Sequence, residues 1–137
     1  MDRATKIYAW FLLAVGLSWL IWTLYEDPQV SAMNDVLSQD TELATYPYRF
    51  RVLRVEEHTA VISTPRSSQV PVARILGILY PAVAGRSPQS PAFQQAQMDL
   101  ATHQKRAKAV IAGEPGIDAV RWELDRRWLA EHGIELR

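Results

Sequence analysis

From Tyr8 to Tyr25 the chain reads YAWFLLAVGLSWLIWTLY, an apolar run without one charged side chain. No other stretch restricts the fold as strongly, because a helix that is hydrophobic on every side needs an apolar surround along its whole length. About eighteen to twenty helical residues, each rising about 1.5 Å, cross a hydrocarbon core of about 30 Å. The run just reaches. Phe11, Leu12, Leu13, Val15, Leu17, Leu20, Ile21 and Leu24 each favour insertion by roughly 0.3 to 0.6 kcal/mol, a sum on the order of −4 kcal/mol before small polar costs at Ser18 and Thr23. Tyr8 and Trp10 at one end, with Trp22 and Tyr25 at the other, place amphipathic rings at headgroup depth. Trp19 lies deeper, where it meets lipid tails or a partner helix. The sequence therefore predicts a transmembrane helix over residues 8–25.

The flanks give this helix a direction. Arg3 and Lys6 precede it, whereas Glu26, Asp27, Asp35, Asp40 and Glu42 follow it, and no Lys or Arg returns until Arg49. The positive-inside bias then puts residues 1–7 in the cytoplasm and the remainder across the membrane. For a bacterial inner membrane that means a periplasmic C-terminal part. Two alternatives stay open. A cleaved signal peptide also starts basic and turns apolar, and Val30-Ser31-Ala32 resembles a small-residue cleavage site, although apolar signal regions usually run about 7 to 15 residues. A buried core helix is the other, and a chain of 137 residues holds little further apolar material to surround one.

Length beyond the run suits one small domain. Lys plus Arg total 15 and Asp plus Glu total 15, so no global field attracts nucleic acid, and none is expected as a partner. The absence of cysteine removes disulfides, thiolate nucleophiles and thiolate metal sites together.

Residues 26–46 are acidic and polar, with Pro28 closing the membrane helix and Val30, Met33, Val36 and Leu37 spaced for a weak amphipathic turn or two. The segment reads as a stalk, followed by a folded domain over residues 47–137. In that domain Tyr48, Phe50 and Val52 alternate with Arg49 and Arg51, a half-buried strand whose alternation slips at Leu53-Arg54-Val55, as at a bulge. Glu56-Glu57-His58 reverses the chain, and Ala60 to Thr64 returns as a second strand. Val72, Ile75, Leu76 and Leu79 recur at helical spacing between Pro71 and Pro81. Ser90 caps a longer helix with Pro91 at its first position, an inward stripe of Phe93, Ala96, Leu100, Ala107, Val110 and Ile111, and Gly113 at its end. Val120, Trp122 and Leu124 alternate with Arg121 and Glu123; read as a helix, the segment has no polar face, so a third strand at about 118–124 is preferred. Asp125 then caps a short helix carrying Trp128 and Leu129. The expected fold class is α+β: an N-terminal transmembrane helix followed by a β-β-α-α-β-α two-layer domain.

Chemistry-bearing residues are sparse. His58, His103 and His132 lack the local spacing of a zinc site. Ser63, Ser67 and Ser68 lack the framing of a nucleophilic serine, and Glu56-Glu57 fits a solvated hairpin tip. No catalytic, cofactor-binding or metal residue is assigned, and no cofactor is expected. The arginines are the most distinctive polar feature. Arg49, Arg51 and Arg54 project from one strand, Arg121 from another, and Arg66 and Arg74 border the Pro65-Arg66-Ser67-Ser68 turn. As neighbours they form a basic face for a carboxylate, a phosphate or an acidic partner; alternatively they pair with Glu56, Glu57 and Glu123 across the strands. The candidate partner-binding residues are Arg49, Arg51, Arg66, Arg121 and, in the bilayer, Trp19.

From Lys6-Ile7-Tyr8-Ala9-Trp10-Phe11 to Val120-Arg121-Trp122-Glu123-Leu124-Asp125 and Trp128-Leu129-Ala130-Glu131-His132-Gly133, the chain is similar to small single-pass membrane proteins of proteobacteria. Some of these carry the label glutamate–ammonia-ligase adenylyltransferase. Nucleotidyl transfer needs close metal-binding carboxylates beside a Gly-Ser-type phosphate loop, and Glu123-Leu124-Asp125 has no glycine-rich partner. The Gly113-Glu114-Pro115-Gly116-Ile117-Asp118-Ala119-Val120 turn resembles the helix-to-strand turn of periplasmic BON-type domains. The expected function is that of a membrane-anchored accessory or interaction protein whose partners are the lipid bilayer and an envelope protein; the alternative is an enzyme of unrecognised type.

Overall fold

The apolar run forms one helix, α1 (Arg3–Leu24), in a computed structural model that describes residues 2–25 and 27–136. Its 22 residues span about 33 Å. None of them is buried, and among the described residues no other element packs against it. Trp19 is 68% and Val15 50% exposed, so the helix shows the same apolar surface on all sides. It is long and apolar enough to cross a membrane.

The segment expected to be a polar stalk is folded instead. Asp27 accepts a hydrogen bond from the Gln29 backbone N–H at 2.9 Å and starts α2 (Pro28–Gln39), with Pro28 at the position where its missing N–H is harmless. Asp40 does the same for α3 (Thr41–Ala44), accepting from Leu43 N–H at 3.2 Å. Val30, Met33, Leu37 and Leu43 are buried in the core, while Asp35, Gln39 and Glu42 face solvent. The acidic character that suggested a stalk comes partly from caps and partly from the outer face of an amphipathic helix. The second Asp40 oxygen receives Arg106 of the long helix α5 (Pro91–Ala112) at 2.8 Å, which ties α3 to the body of the domain.

Three strands make one sheet in the order β1 (Val52–Glu56), β2 (Thr59–Thr64), β3 (Ala119–Leu124). β1 and β2 form an antiparallel hairpin with a register shift between Val52 and Arg54, where the sequence alternation slips. Residues 48–51, expected to belong to the first strand, keep the alternation of burial but lie ahead of β1, and Arg51 meets β2 through its C=O, which accepts Ser63 N–H at 2.8 Å. Arg51 donates its N–H to the Ser63 hydroxyl at 3.1 Å, so a side chain stands where a strand carbonyl would. Glu57 and His58 both adopt left-handed backbone (φ 47° and 67°), the conformation a two-residue hairpin turn matched to strand twist requires. β3 runs parallel to β2, and the connection carries α4 (Val72–Leu79), a 3₁₀ turn at Pro81–Val83, and α5.

Helices cover one face of this sheet, against Ala60 and Ile62 of β2. α4 contributes Ile75, Leu76 and Leu79; α5, capped by the Ser90 hydroxyl on Phe93 N–H at 3.3 Å, contributes Phe93, Ala96, Leu100, Ala107 and Ile111. α6 (Arg126–Glu131) closes the layer with Leu129 and ends at Gly133 (φ 78°). There Ile134 N–H returns to Leu129 C=O at 2.8 Å and Gly133 N–H to Ala130 C=O at 3.1 Å, a Schellman closure that buries Ile134. The fold is α+β, with α2 and α3 added ahead of the expected β-β-α-α-β-α order.

One side chain joins the first of these added helices to the sheet. Asn34 of α2 accepts from Val52 N–H at 2.7 Å and donates to Val52 C=O at 3.1 Å, so its amide imitates a neighbouring strand on the outer edge of β1. Asn34→Ala leaves both backbone groups without that partner and should lower unfolding free energy by about 1 to 3 kcal/mol, read by denaturant titration. A pH titration checks the Asp40 tie. The Arg106 hydrogen bond holds the Asp40 carboxyl below its ordinary value of 3.8. Its stabilisation is therefore complete above that value and is lost as pH falls through the lower folded one. Asp40→Asn should flatten this acid limb of the stability profile.

Candidate functional site

The sheet face opposite the helices carries charge. Arg54 of β1 reaches Glu123 of β3 with two parallel N–H donations, at 2.9 and 2.8 Å, and also contacts Glu56. Arg121 of β3 donates to the other Glu56 oxygen at 2.8 Å. The result is a Glu123–Arg54–Glu56–Arg121 chain across the strands. In strand register Val61 lies opposite both Arg54 and Arg121, and Ser63 opposite Glu123. Val61 and Ser63 are nonetheless fully buried, as expected where long side chains lie across a strand with their charged ends in water. Arg54 holds the Glu123 carboxyl below the ordinary carboxylate range. Arg54 first, then Arg121, does the same for Glu56. All four side chains are substantially exposed, so the network contributes modestly to stability. Two arginines of the expected basic face, Arg54 and Arg121, are thus committed to acids in their own sheet.

Arg49 and Arg51 are placed differently. Both are exposed, and among the described residues neither meets an acidic side chain within ion-pair distance. They form one wall of an open cleft of about 360 Å³ that is also lined by Tyr48, Asp125, Arg127, Trp128 and Glu131. The other wall is α6, where Arg127 donates to Glu131 at 3.3 Å across one helical turn. Alternation sets the geometry. Burial of Tyr48, Phe50 and Val52 turns Arg49 and Arg51 outward.

Asp125 holds the base of the cleft together. One of its oxygens caps α6 by accepting Trp128 N–H at 3.1 Å, and the other accepts the hydroxyl of Tyr48 at 2.7 Å. Tyr48 is 1% exposed, and burial raises its hydroxyl well above the ordinary phenol value, so it stays a neutral donor. Its ring meets Trp128 edge-on at 5.4 Å and Phe50 at 4.9 Å, and Phe50 in turn meets Trp122 at 6.0 Å. The cleft therefore sets Trp128 beside guanidinium groups from the segment that leads into β1 and from α6. Its chemistry suits a carboxylate or phosphate group, with Trp128 supplying a flat apolar contact.

The remaining candidates lie elsewhere. Arg66 follows β2, its backbone N–H bonded to the Thr64 hydroxyl at 3.2 Å, and it does not line the cleft. Arg74 of α4 donates to Gly133 C=O at 3.3 Å. Trp19 sits on α1, apart from the domain. The three histidines occupy separate elements, each with Nδ1 against a backbone carbonyl: His58 on Gly116, His103 on Asp99, His132 on Trp128. Sequence reading missed Arg127 and Glu131 as cleft residues. Their i,i+4 spacing behind the Asp125 cap was the available signal. Comparison with known proteins finds no match: no family model, no curated protein and no solved structure corresponds to this chain.

Replacing Asp125 by alanine strips the α6 cap and leaves the buried Tyr48 hydroxyl without an acceptor, with an expected loss of about 2 to 4 kcal/mol. Asp125→Asn retains oxygen acceptance and should lose less. Thermal unfolding of the two variants, with Tyr48→Phe as the reference that removes the donor, measures the difference.

Proposed function

We propose that the protein is a single-pass membrane-anchored accessory protein. Its α+β domain stands on the extracytoplasmic side and engages an acidic group of an envelope protein in the Arg49–Arg51–Arg127 cleft. The observation that carries the anchor is α1 itself, whose 22 residues include none that are buried. An exposed apolar surface of that extent is covered by lipid rather than left to water. Orientation rests on the flanks: Arg3 and Lys6 before the helix, no Lys or Arg after it until Arg49. A periplasmic domain in a bacterial cell follows from that asymmetry.

The cleft supports capture rather than catalysis. It is open, and the groups it offers are guanidinium donors and the ring of Trp128. Its carboxylates are already engaged, Asp125 with Tyr48 and Trp128, Glu131 with Arg127. Arg49 and Arg51 keep donors for an incoming anion.

A reporter active only outside the cytoplasm, fused after Arg137, should be active, and one active only in the cytosol should be silent; the reverse result overturns the orientation. Charge reversal, Arg49→Glu with Arg51→Glu, should leave the unfolding midpoint close to that of the parent, since among the described residues neither side chain makes an ion pair. It should reduce the amount of partner co-purified from mild detergent by an order of magnitude or so, as expected when a buried charge-assisted contact is reversed. Equal recovery with the variant overturns the cleft as the capture site.

A further inference from the structure

The two edges of the sheet are treated differently. On β1 the Asn34 amide occupies the backbone groups of Val52. β3 is the last strand on the other side. Ala119 and Asp125 direct their N–H groups to His58 and Thr64 C=O, at 3.4 and 2.8 Å. In the parallel register Thr59–Ala119, Val61–Arg121, Ser63–Glu123, the odd-numbered residues of β3 therefore bond to β2. Val120, Trp122 and Leu124 turn their N–H and C=O groups outward. Among the described residues no loop backbone meets those outward groups.

We propose that this edge pairs with the same edge of a second copy, antiparallel about a two-fold axis at Trp122, to give a continuous six-stranded sheet. The sequence Val120-Arg121-Trp122-Glu123-Leu124 is self-complementary about its centre. With Trp122 opposite Trp122, Val120 falls opposite Leu124 on the helix-covered face, and Arg121 falls opposite Glu123 on the charged face. Both charge pairs have the favourable sign and extend the Arg121–Glu56 and Arg54–Glu123 contacts that each sheet already holds. The hydrogen-bond phase agrees. An antiparallel ladder centred on Trp122 makes hydrogen-bonded pairs of residues 122–122 and 120–124, which are the residues whose backbone groups face outward, and it leaves 121–123 as the closer, non-hydrogen-bonded pairs. A centre one residue away opposes 121 with 121 or 123 with 123, which sets like charges together and presents backbone groups already used by β2. Val120, Trp122 and Leu124 are only half-buried in one copy, and pairing shields them further. The axis is isologous, so the assembly closes at two copies.

The full-length chain in mild detergent tests this directly, because a chain without cysteine accepts single cysteines cleanly. Sedimentation should give a dimer mass at micromolar protein. Mixed Arg121→Cys and Glu123→Cys chains should form disulfide-linked dimers under mild oxidation, several-fold more than either variant alone, since a non-hydrogen-bonded pair brings Cβ atoms within disulfide reach. A monomer mass for the parent chain overturns the proposal, whatever the variants do. So does cross-linking of Arg121→Cys alone that equals the mixture, because it denies the Trp122-centred register.

Discussion

A helix with no polar side cannot be stabilised by a small domain none of whose described elements packs against it. α1 carries aromatic and aliphatic side chains around its full circumference, and the sheet and helices that follow bury their own core without drawing on any of them. The apolar surface of α1 and the apolar core of the head are therefore two separate solutions to the same requirement that such surface leave water. The head closes on itself; the helix needs an external medium. This division explains why the chain has overall charge balance and modest hydrophobicity while containing one segment that a water-soluble domain does not tolerate.

Within the head, short acidic side chains do double duty. Asp40 starts α3 and holds Arg106 of α5; Asp125 starts α6 and receives the hydroxyl of buried Tyr48. Each satisfies an otherwise unpaired helix N–H and at the same time fixes the position of a distant element. Asn34 works in the same manner between α2 and the edge of β1. A domain with three strands has few backbone hydrogen bonds between its layers, and these side chains supply the cross-links that a larger sheet would obtain from more strands. The Arg49–Arg51 cleft is built on one of them, so its walls are set by the packing of Tyr48 against Trp128.

Much of this was legible in the residues. Period-two alternation found the second hairpin strand, and for the first it marked the approach at residues 48–52 with the slip at Leu53-Arg54-Val55 close to the observed irregularity between Val52 and Arg54; Ser90-Pro91 with Gly113 bracketed α5. The alternation of Val120, Trp122 and Leu124 decided between strand and helix for β3, because only a strand gives the segment one face inward. Failures have a common cause. Residues 26–46 looked like a tether because local composition was polar, yet Val30, Met33 and Leu37 become core once the sheet offers a surface to cover, a tertiary effect that no short window contains. In the same way the alternation at Arg49 and Arg51 was visible, but not that Arg54 and Arg121 would be engaged by Glu56 and Glu123 whereas the other two meet no acid among the described residues. Strand neighbours decide that, and neighbour order is absent from a linear pattern.

The folding of α2 into the head alters the reach of the molecule. Only residues 25–27 separate the end of α1 from the start of α2, and three extended residues span at most about 11 Å. The start of α2 therefore lies within about that distance of the end of α1. The end of the head at which α2 begins stays close to the last turn of α1, and only the depth of the head itself carries its other surfaces, the Arg49–Arg51 cleft among them, farther away.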